Sequence, residues 1–221
     1  MPNWITNKIQ AASHVIRAIV NDKGHVDFNL IQPFGGPFKP NGIFLDAEDV
    51  AEMACGKPVD SHPILGALQS SNRQQIDLRK MTDESFEQVI GMLRNYRATG
   101  YLHEMDFARA VWGTKWNACA SVVNAAAGTC QFDTAWSCPQ SALTKLSQQF
   151  PNEPIFVTYA DEEIGHNCGQ FQLMGGKITE QDIAPGSNEM TPQTAKKWRD
   201  FAYQVKGYSQ EEVEIREAER A

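Results

Sequence analysis

The chain has 221 residues, 42% of them hydrophobic and 21% charged, enough to bury a real core in one elaborated domain or one domain with a large insertion. Its net charge of -7 argues against the basic stripe that nucleic-acid coating needs, so direct nucleic-acid binding is not expected. No apolar run approaches the roughly 18 residues of a membrane span, which speaks against a membrane partner.

Residues 2–10, with Trp4 and Ile9 among polar neighbours, read as a short strand, and Ala11 to Asn21 as a helix with His14, Val15, Ala18 and Ile19 on one face. Gly24 suits a left-handed cap. Val26, Phe28 and Leu30 then alternate with His25, Asp27 and Asn29, which predicts a half-buried strand over 25–32. Pro33 to Gly42 breaks all periodicity and is a loop. Four helices follow. One runs from a cap at Asp46 to Cys55, and one opens at Ser61-His62-Pro63 and ends near Arg73. Thr82 caps the third, whose stripe is Phe86, Val89, Ile90 and Leu93. The fourth carries Leu102, Met105, Phe107 and Val111.

Lys115 to Val123 is strand-like or irregular, and Asn124 to Gly128 is a small-residue turn. Cys130, Phe132, Thr134 and Trp136 alternate in a strand. Ser137-Cys138-Pro139-Gln140 has the spacing of a capping box, with Leu143, Leu146 and Phe150 as the inner face of the helix it opens. Ile155 to Ala160 and Gln170 to Met174 are strands joined through Asp161-Glu162-Glu163-Ile164-Gly165. Pro192 to Lys206 is a closing helix with Trp198, Phe201, Ala202 and Val205 inward. Beyond the cap at Ser209 lies a charged tail of five glutamates and two arginines. A βαβ start and a βαββ unit near the end, separated by helices, give an α+β fold: a split βαβ antiparallel sheet with two helices on one face. The expected parts are a core in two halves, 1–33 and 112–180, a helical insertion over 34–111, and a C-terminal helix with an acidic tail over 181–221.

Five cysteines, an odd number without a C-x-x-C pair, offer neither a disulfide framework nor a zinc or iron–sulfur site, and no cofactor is implied. The opening Met1-Pro2-Asn3-Trp4 lacks the basic-then-apolar build of a secretory signal. A reduced, cytoplasmic protein is expected.

Several short words occur in a fixed order. They are Met1-Pro2-Asn3-Trp4 with Asn7, Trp112-Gly113-Thr114-Lys115-Trp116-Asn117, Phe132-x-Thr134-x-Trp136-x-x-Pro139, Leu146-Ser147, Phe150-Pro151 and Tyr159. In these the chain resembles the YubB-type ferredoxin-like family of phage and conjugative-plasmid proteins, whose function is largely unknown. The match spans about half of the chain. It departs at Ile5, where that family often has cysteine, and it keeps an acidic, glycine-ended loop at Asp161–Gly165. The resemblance implies a ferredoxin-like topology, a virus or mobile element as source, a bacterial cytoplasm as site of action, and a host defence complex as the suspected partner.

Candidate site residues fall into three groups. Trp4, Trp112, Trp116 and Trp136 with Asn3, Asn7 and Asn117 supply aromatic faces and amides for a binding platform, against the alternative that they are satisfied core. Glu162 and Glu163, with Asp133, Asp161 and His166, supply carboxylates and an imidazole, against a solvated loop; no metal site is assigned. Cys138 at a helix start with His166 is a nucleophile arrangement, against a structural cysteine. G-x-S-x-G, phosphate-loop and H-E-x-x-H motifs are absent, so no catalytic residue is assigned. The expectation is a non-enzymatic binding protein that inhibits a host defence complex, such as a CRISPR effector. The alternatives are a small-ligand or nucleotide-binding module and a cysteine- or carboxylate-dependent enzyme.

Overall fold

The computed structural model describes residues 2–218, without the side chains of Gln210 and Glu217. Met1 and the last three residues of the acidic tail lie outside the described residues. β1 (Trp4–Gln10) sits at the centre, and its alternation sets the two faces of the sheet. Ile5, Asn7 and Ile9 are buried on one face, while Trp4, Thr6, Lys8 and Gln10 belong to the other. β2 (Cys119–Asn124), β3 (Thr129–Ala135), β4 (Ile155–Asp161), β5 (Gly169–Met174) and β6 (Lys177–Ile183) complete a six-stranded sheet in the order β2-β3-β1-β4-β5-β6. Every pairing is antiparallel.

The topology follows from that order. β3 and β4 flank β1, so they run parallel to each other, and α6 (Gln140–Gln149) connects them past the central strand. α1 (Ser13–Ala18) begins the matching connection from β1 to β2 past β3. Two interlocked split βαβ units make the ferredoxin-like fold, here extended by the β5–β6 hairpin. Phe132, Ile155, Val157 and Leu173 line the inner face with Leu143 and Leu146 of α6, each 0–1% exposed. α7 (Pro192–Lys206) starts at the Thr191 cap and packs on β4 and β1, where Trp198, Ala202, Tyr203 and Val205 cluster with Ala160. α8 (Gln210–Ala218) follows a reciprocal capping box between Ser209 and Glu212.

Several expectations change. Residues 25–32 form a single bridge at Val26 and a 3₁₀ turn over Phe28–Leu30 instead of a strand. The cause is local: Asp27 accepts from Asn29 N, while Ser121 Oγ and Asn117 Oδ1 take the N–H groups of Val26 and Phe28 that a ladder would need. Trp136 leaves the strand alternation at φ 70° and is 51% exposed. Ser137 makes no capping box; its Oγ donates to Gly113 O at 2.6 Å, and Pro139 stands at the start of α6. Beyond the expected strand Gln170 to Met174 the sheet gains one more, because the left-handed Gly175 and Gly176 turn β5 into β6. In the last helix before β2, α5 (Glu104–Phe107) is one turn long and is followed by a π-helical turn over Ala108–Trp112.

The chain divides into two compact units, residues 1–33 with 108–221, and Phe34–Phe107. The second unit is helical, with α2 (Leu45–Ala54), α3 (Pro63–Gln75) and α4 (Asp83–Thr99). Phe44, not Asp46, is the N-cap of α2; Asp46 accepts from Ala47 N and Ser85 Oγ. The main buried cluster of the unit is small: Ala47, Ala51, Val89, Met92 and Leu102; Phe34 and Phe107 are buried as a ring pair. α4 turns Val89 and Met92 inward, and leaves Phe86 and Ile90 of the expected stripe 41% and 49% exposed. Asn95 explains that rotation. It is fully buried, and its amide holds both the N–H and the carbonyl of Phe38 and the carbonyl of Leu102. A buried amide with such partners fixes its helix face more strongly than one exposed apolar side chain does.

Candidate functional site

The site grows from the sheet end where β1 begins and β3 and β4 finish. Trp4 opposes Ala135 in the β1–β3 register, and Ile5 opposes Asp161 in the β1–β4 register. Trp4 packs on Trp116, with ring centroids 6.0 Å apart and planes at 43°. Trp116 remains 40% exposed, and Lys115 Nζ lies 4.7 Å from its ring centroid.

Backbone straps hold this rim. Thr114 Oγ1 donates to Ala135 O at 2.9 Å, and Ser137 Oγ donates to Gly113 O, so the Gly113–Trp116 loop is tied to the end of β3 on both sides. Trp136 N donates to Asn3 O at 2.9 Å, and Asn167 Nδ2 donates to Trp136 O at 3.2 Å. That clamp keeps Trp136 in its left-handed conformation and its side chain out of the strand.

Asp161 is the hub. It is 4% exposed and accepts from Asn3 Nδ2 at 3.3 Å, Glu163 N at 3.0 Å and Asn167 Nδ2 at 2.9 Å. Glu162 N donates to Trp4 O at 3.1 Å, and Lys206 Nζ of α7 reaches the same carbonyl at 3.5 Å. The side chains of Glu162 and Glu163 face solvent beside the rim. The structure thus brings together Asn3, Trp4, Trp116, Trp136, Glu162 and Glu163.

It keeps Asn7 and Asn117 apart from them. Asn7 is fully buried and donates to Ile5 O at 3.0 Å and Thr134 Oγ1 at 2.8 Å; its Oδ1 meets no partner among the described residues. Asn117 clasps the chain at the 3₁₀ turn. Its Oδ1 accepts from Phe28 N and Ala118 N, each at 2.9 Å, and its Nδ2 donates to Asp27 at 2.7 Å. Both are fold-holding amides. The sequence reading passed over Asn167, Lys115 and Lys206. For Asn167 a signal existed: an asparagine after Gly165-His166 is suited to the left-handed φ of 43° it adopts.

The remaining chemistry is weak. Asp133 accepts from Thr6 Oγ1 on the face shared with Ala160, whereas Asp161 lies on the opposite face with Ile5, so the carboxylates do not converge. Among the described residues no group of three His, Cys, Asp or Glu is placed to hold a metal ion. Cys138 is only half-buried as a residue, yet its thiol is desolvated and pushed well up from the ordinary thiol range. Burial likewise lifts Cys130 and Cys168 to about 12. Since the thiolate is the nucleophile, these sites are poor ones. His166 Nδ1 meets Ser187 Oγ at 3.4 Å. The Trp4 and Trp116 rings touch at an angle, which leaves no parallel slot between them for a flat ligand. What the rim offers is an exposed, pre-ordered aromatic surface with charges at its border. No helix among the described residues is long and apolar enough to cross a membrane.

Comparison with known proteins adds a fold relationship. No curated protein matches the chain. A solved structure, protein api92 from Yersinia pseudotuberculosis, aligns over 85% of this chain and 99% of its own at 9% identity and a TM-score of 0.37, too distant a likeness to bear on function. Residues 111–206, which contain β2 to β6 and α7, match the family model described as the ferredoxin-like domain in Api92-like protein.

Proposed function

We infer that this chain is a non-enzymatic binding protein that docks a protein partner on its tryptophan rim. One observation carries the reading: Trp116 and Trp136 stay 40% and 51% exposed while the backbone around both is strapped in place. Tryptophan is among the residues that dominate protein interfaces, and a rim already ordered loses little further freedom on binding. The raised thiols and the divergent carboxylates supply no support for a cysteine- or carboxylate-dependent reaction. The finer reading is a phage or mobile-element protein that acts in the bacterial cytoplasm and blocks a host defence complex. That rests on the YubB-type resemblance of the Met1–Trp4, Trp112–Asn117 and Phe132–Pro139 segments, each of which supplies a tryptophan to the rim.

The test is capture of partners from a bacterial lysate that carries defence systems, with wild type and a W116A/W136A variant side by side. The reading expects one stoichiometric partner on wild type and a loss of about tenfold or more on the variant, the scale of a hot-spot pair. Equal capture by both proteins would remove the rim from the account. No protein partner, with a nucleotide or other small molecule retained instead, would favour a ligand-binding module.

A further inference from the structure

The strongest unexplained surface lies in the helical unit and shares no residue with the rim. α3 has the sequence Pro-Ile-Leu-Gly-Ala-Leu-Gln-Ser-Ser-Asn-Arg-Gln-Gln. Its helical period places Ile64, Leu65, Leu68, Asn72 and Gln75 on one face. An amphipathic helix of a folded unit normally buries that face. Here Ile64, Leu65 and Leu68 are 66%, 49% and 56% exposed, and Gly66 is the buried residue of the helix.

The helix is held from its other side. Gly66 backs onto Asp60, where an added Cβ would sit 2.4 Å from the carbonyl oxygen. Arg73 bridges Glu52 and the carbonyl of Lys57, each at 2.9 Å, and Gln69 accepts from Asp60 N at 2.6 Å. Polar links and a glycine contact therefore fix α3 with its aliphatic face outward. A 13-residue helix with so little apolar burial gains stability from any partner that covers that face.

The polar end of the same face says what such a partner carries. Asn72 and Gln75 line a groove of about 350 Å³ together with Leu45, which is 75% exposed, and with Asp46, Asp49, Asp77 and Lys80. Lys80 and Arg79 both engage Asp77. Asp49 sits where desolvation and then the neighbouring Glu52 work against its charge, only partly offset by Arg73. The whole unit Phe34–Phe107 has seven Lys and Arg against eleven Asp and Glu. An aliphatic stripe that runs into an acidic groove is complementary to a segment with aliphatic residues along one side and Lys or Arg along the other.

We propose that the outward face of α3 and the adjoining acidic groove dock a cationic amphipathic helix of a protein partner. Its aliphatic side chains cover Ile64, Leu65 and Leu68, and its cations meet Asp46, Asp49 and Asp77. A second copy of this chain is a poorer occupant, because a two-fold contact would bring like carboxylates together. An anionic lipid surface is poorer for the same reason of charge. This surface shares no residue with the tryptophan rim, and either reading can fail without the other.

The test is NMR titration of the isotope-labelled full chain with two designed helical peptides, one of leucine and lysine and one of leucine and glutamate at equal hydrophobicity. The expected result is saturable binding of the lysine peptide, with amide shifts confined to Leu45–Asp49, α3 and residues 76–81, and weakening as salt rises. The exposed-site variant L65S/L68S, which leaves the core untouched, should lower that affinity about tenfold or more. D49N/D77N should lower it and flatten the salt dependence. Equal binding of the glutamate peptide, shifts centred elsewhere, or unchanged affinity in L65S/L68S would overturn the proposal. So would peptide-free self-association through α3, or binding to anionic vesicles in place of the lysine peptide.

Discussion

The sheet unit and the helical unit spend their apolar residues differently. In the sheet unit the fully buried positions hold large side chains, among them Trp112, Phe28, Phe132, Ile5 and Leu143. In the helical unit the main buried cluster is two alanines, a valine, a methionine and a leucine, with Phe34 and Phe107 as a further buried pair. Of eighteen exposed large apolar side chains among the described residues, nine lie within Phe34–Phe107. Exposure of single apolar residues is normal, but concentration of this kind marks surface that interacts. The tryptophan rim teaches the complementary point. There the exposed aromatics are few, and the hydrogen bonds around them are many.

Core truncation should break this contrast most strongly. Phe132→Ala is expected to cost about 3–5 kcal/mol and to speed amide exchange through β1, β3 and β4. Met92→Ala is expected to cost about 2–5 kcal/mol, with faster exchange in α2 and α4. Denaturant titration read by residue-resolved exchange measures both. Uniform acceleration over the whole chain in both variants would show that the two cores are one cooperative block.

A smaller effect is expected from the clasp at the 3₁₀ turn. Asn117→Ala frees Phe28 N and Asp27 from their amide partner and should cost about 1–3 kcal/mol. Trp116→Ala, which removes the Trp4 ring contact on the rim, should cost about 0.5–1.5 kcal/mol while it weakens partner capture. Thermal unfolding of the two variants separates a structural asparagine from a binding tryptophan.

The finest distinction is in pH response. Burial works to raise Asp27, but the hydrogen bonds from Asn117 and Asn29 together outweigh it and hold the carboxyl below its usual value. Its contribution is therefore present above the unfolded aspartate range, about 3.9, and is lost as pH falls through the depressed folded value. Asp49 has the opposite sign. Desolvation and Glu52 raise it, so its ionised form weakens the folded helical unit above the raised value, and that cost disappears as pH falls through it. Carboxyl-carbon NMR titration should find Asp27 low and Asp49 high; the reverse order would contradict the electrostatics given for both sites.

Much of this architecture was legible in the chain because single residues announce it. Pro192 marks the start of α7, and Thr82 that of α4. Alternation at Cys130, Phe132 and Thr134 points to β3. Misreadings occurred where a distant side chain overrules a local pattern. Residues 25–32 alternate like a strand, but Asn117 and Ser121, some ninety positions later, take the N–H groups of Phe28 and Val26. Ser137 has capping-box spacing, but Gly113 O is the acceptor it finds. Three words with tryptophan and asparagine in sequence order suggested one platform; strand register turns Asn7 inward, and the 3₁₀ turn at Phe28 claims Asn117, which leaves the tryptophans of the rim. The outward face of α3 was invisible, since its period predicts a buried stripe and only the three-dimensional neighbours show that nothing in its unit covers it.

The central claim is that the rim is the docking surface, and hydrogen exchange of the captured complex tests it most directly. The account predicts slowed exchange, relative to the free protein, in the Gly113–Trp116 loop, at Trp136 and over residues 161–167 when the partner is bound. Unchanged exchange in those three segments, with protection confined to other parts of the chain, would contradict it.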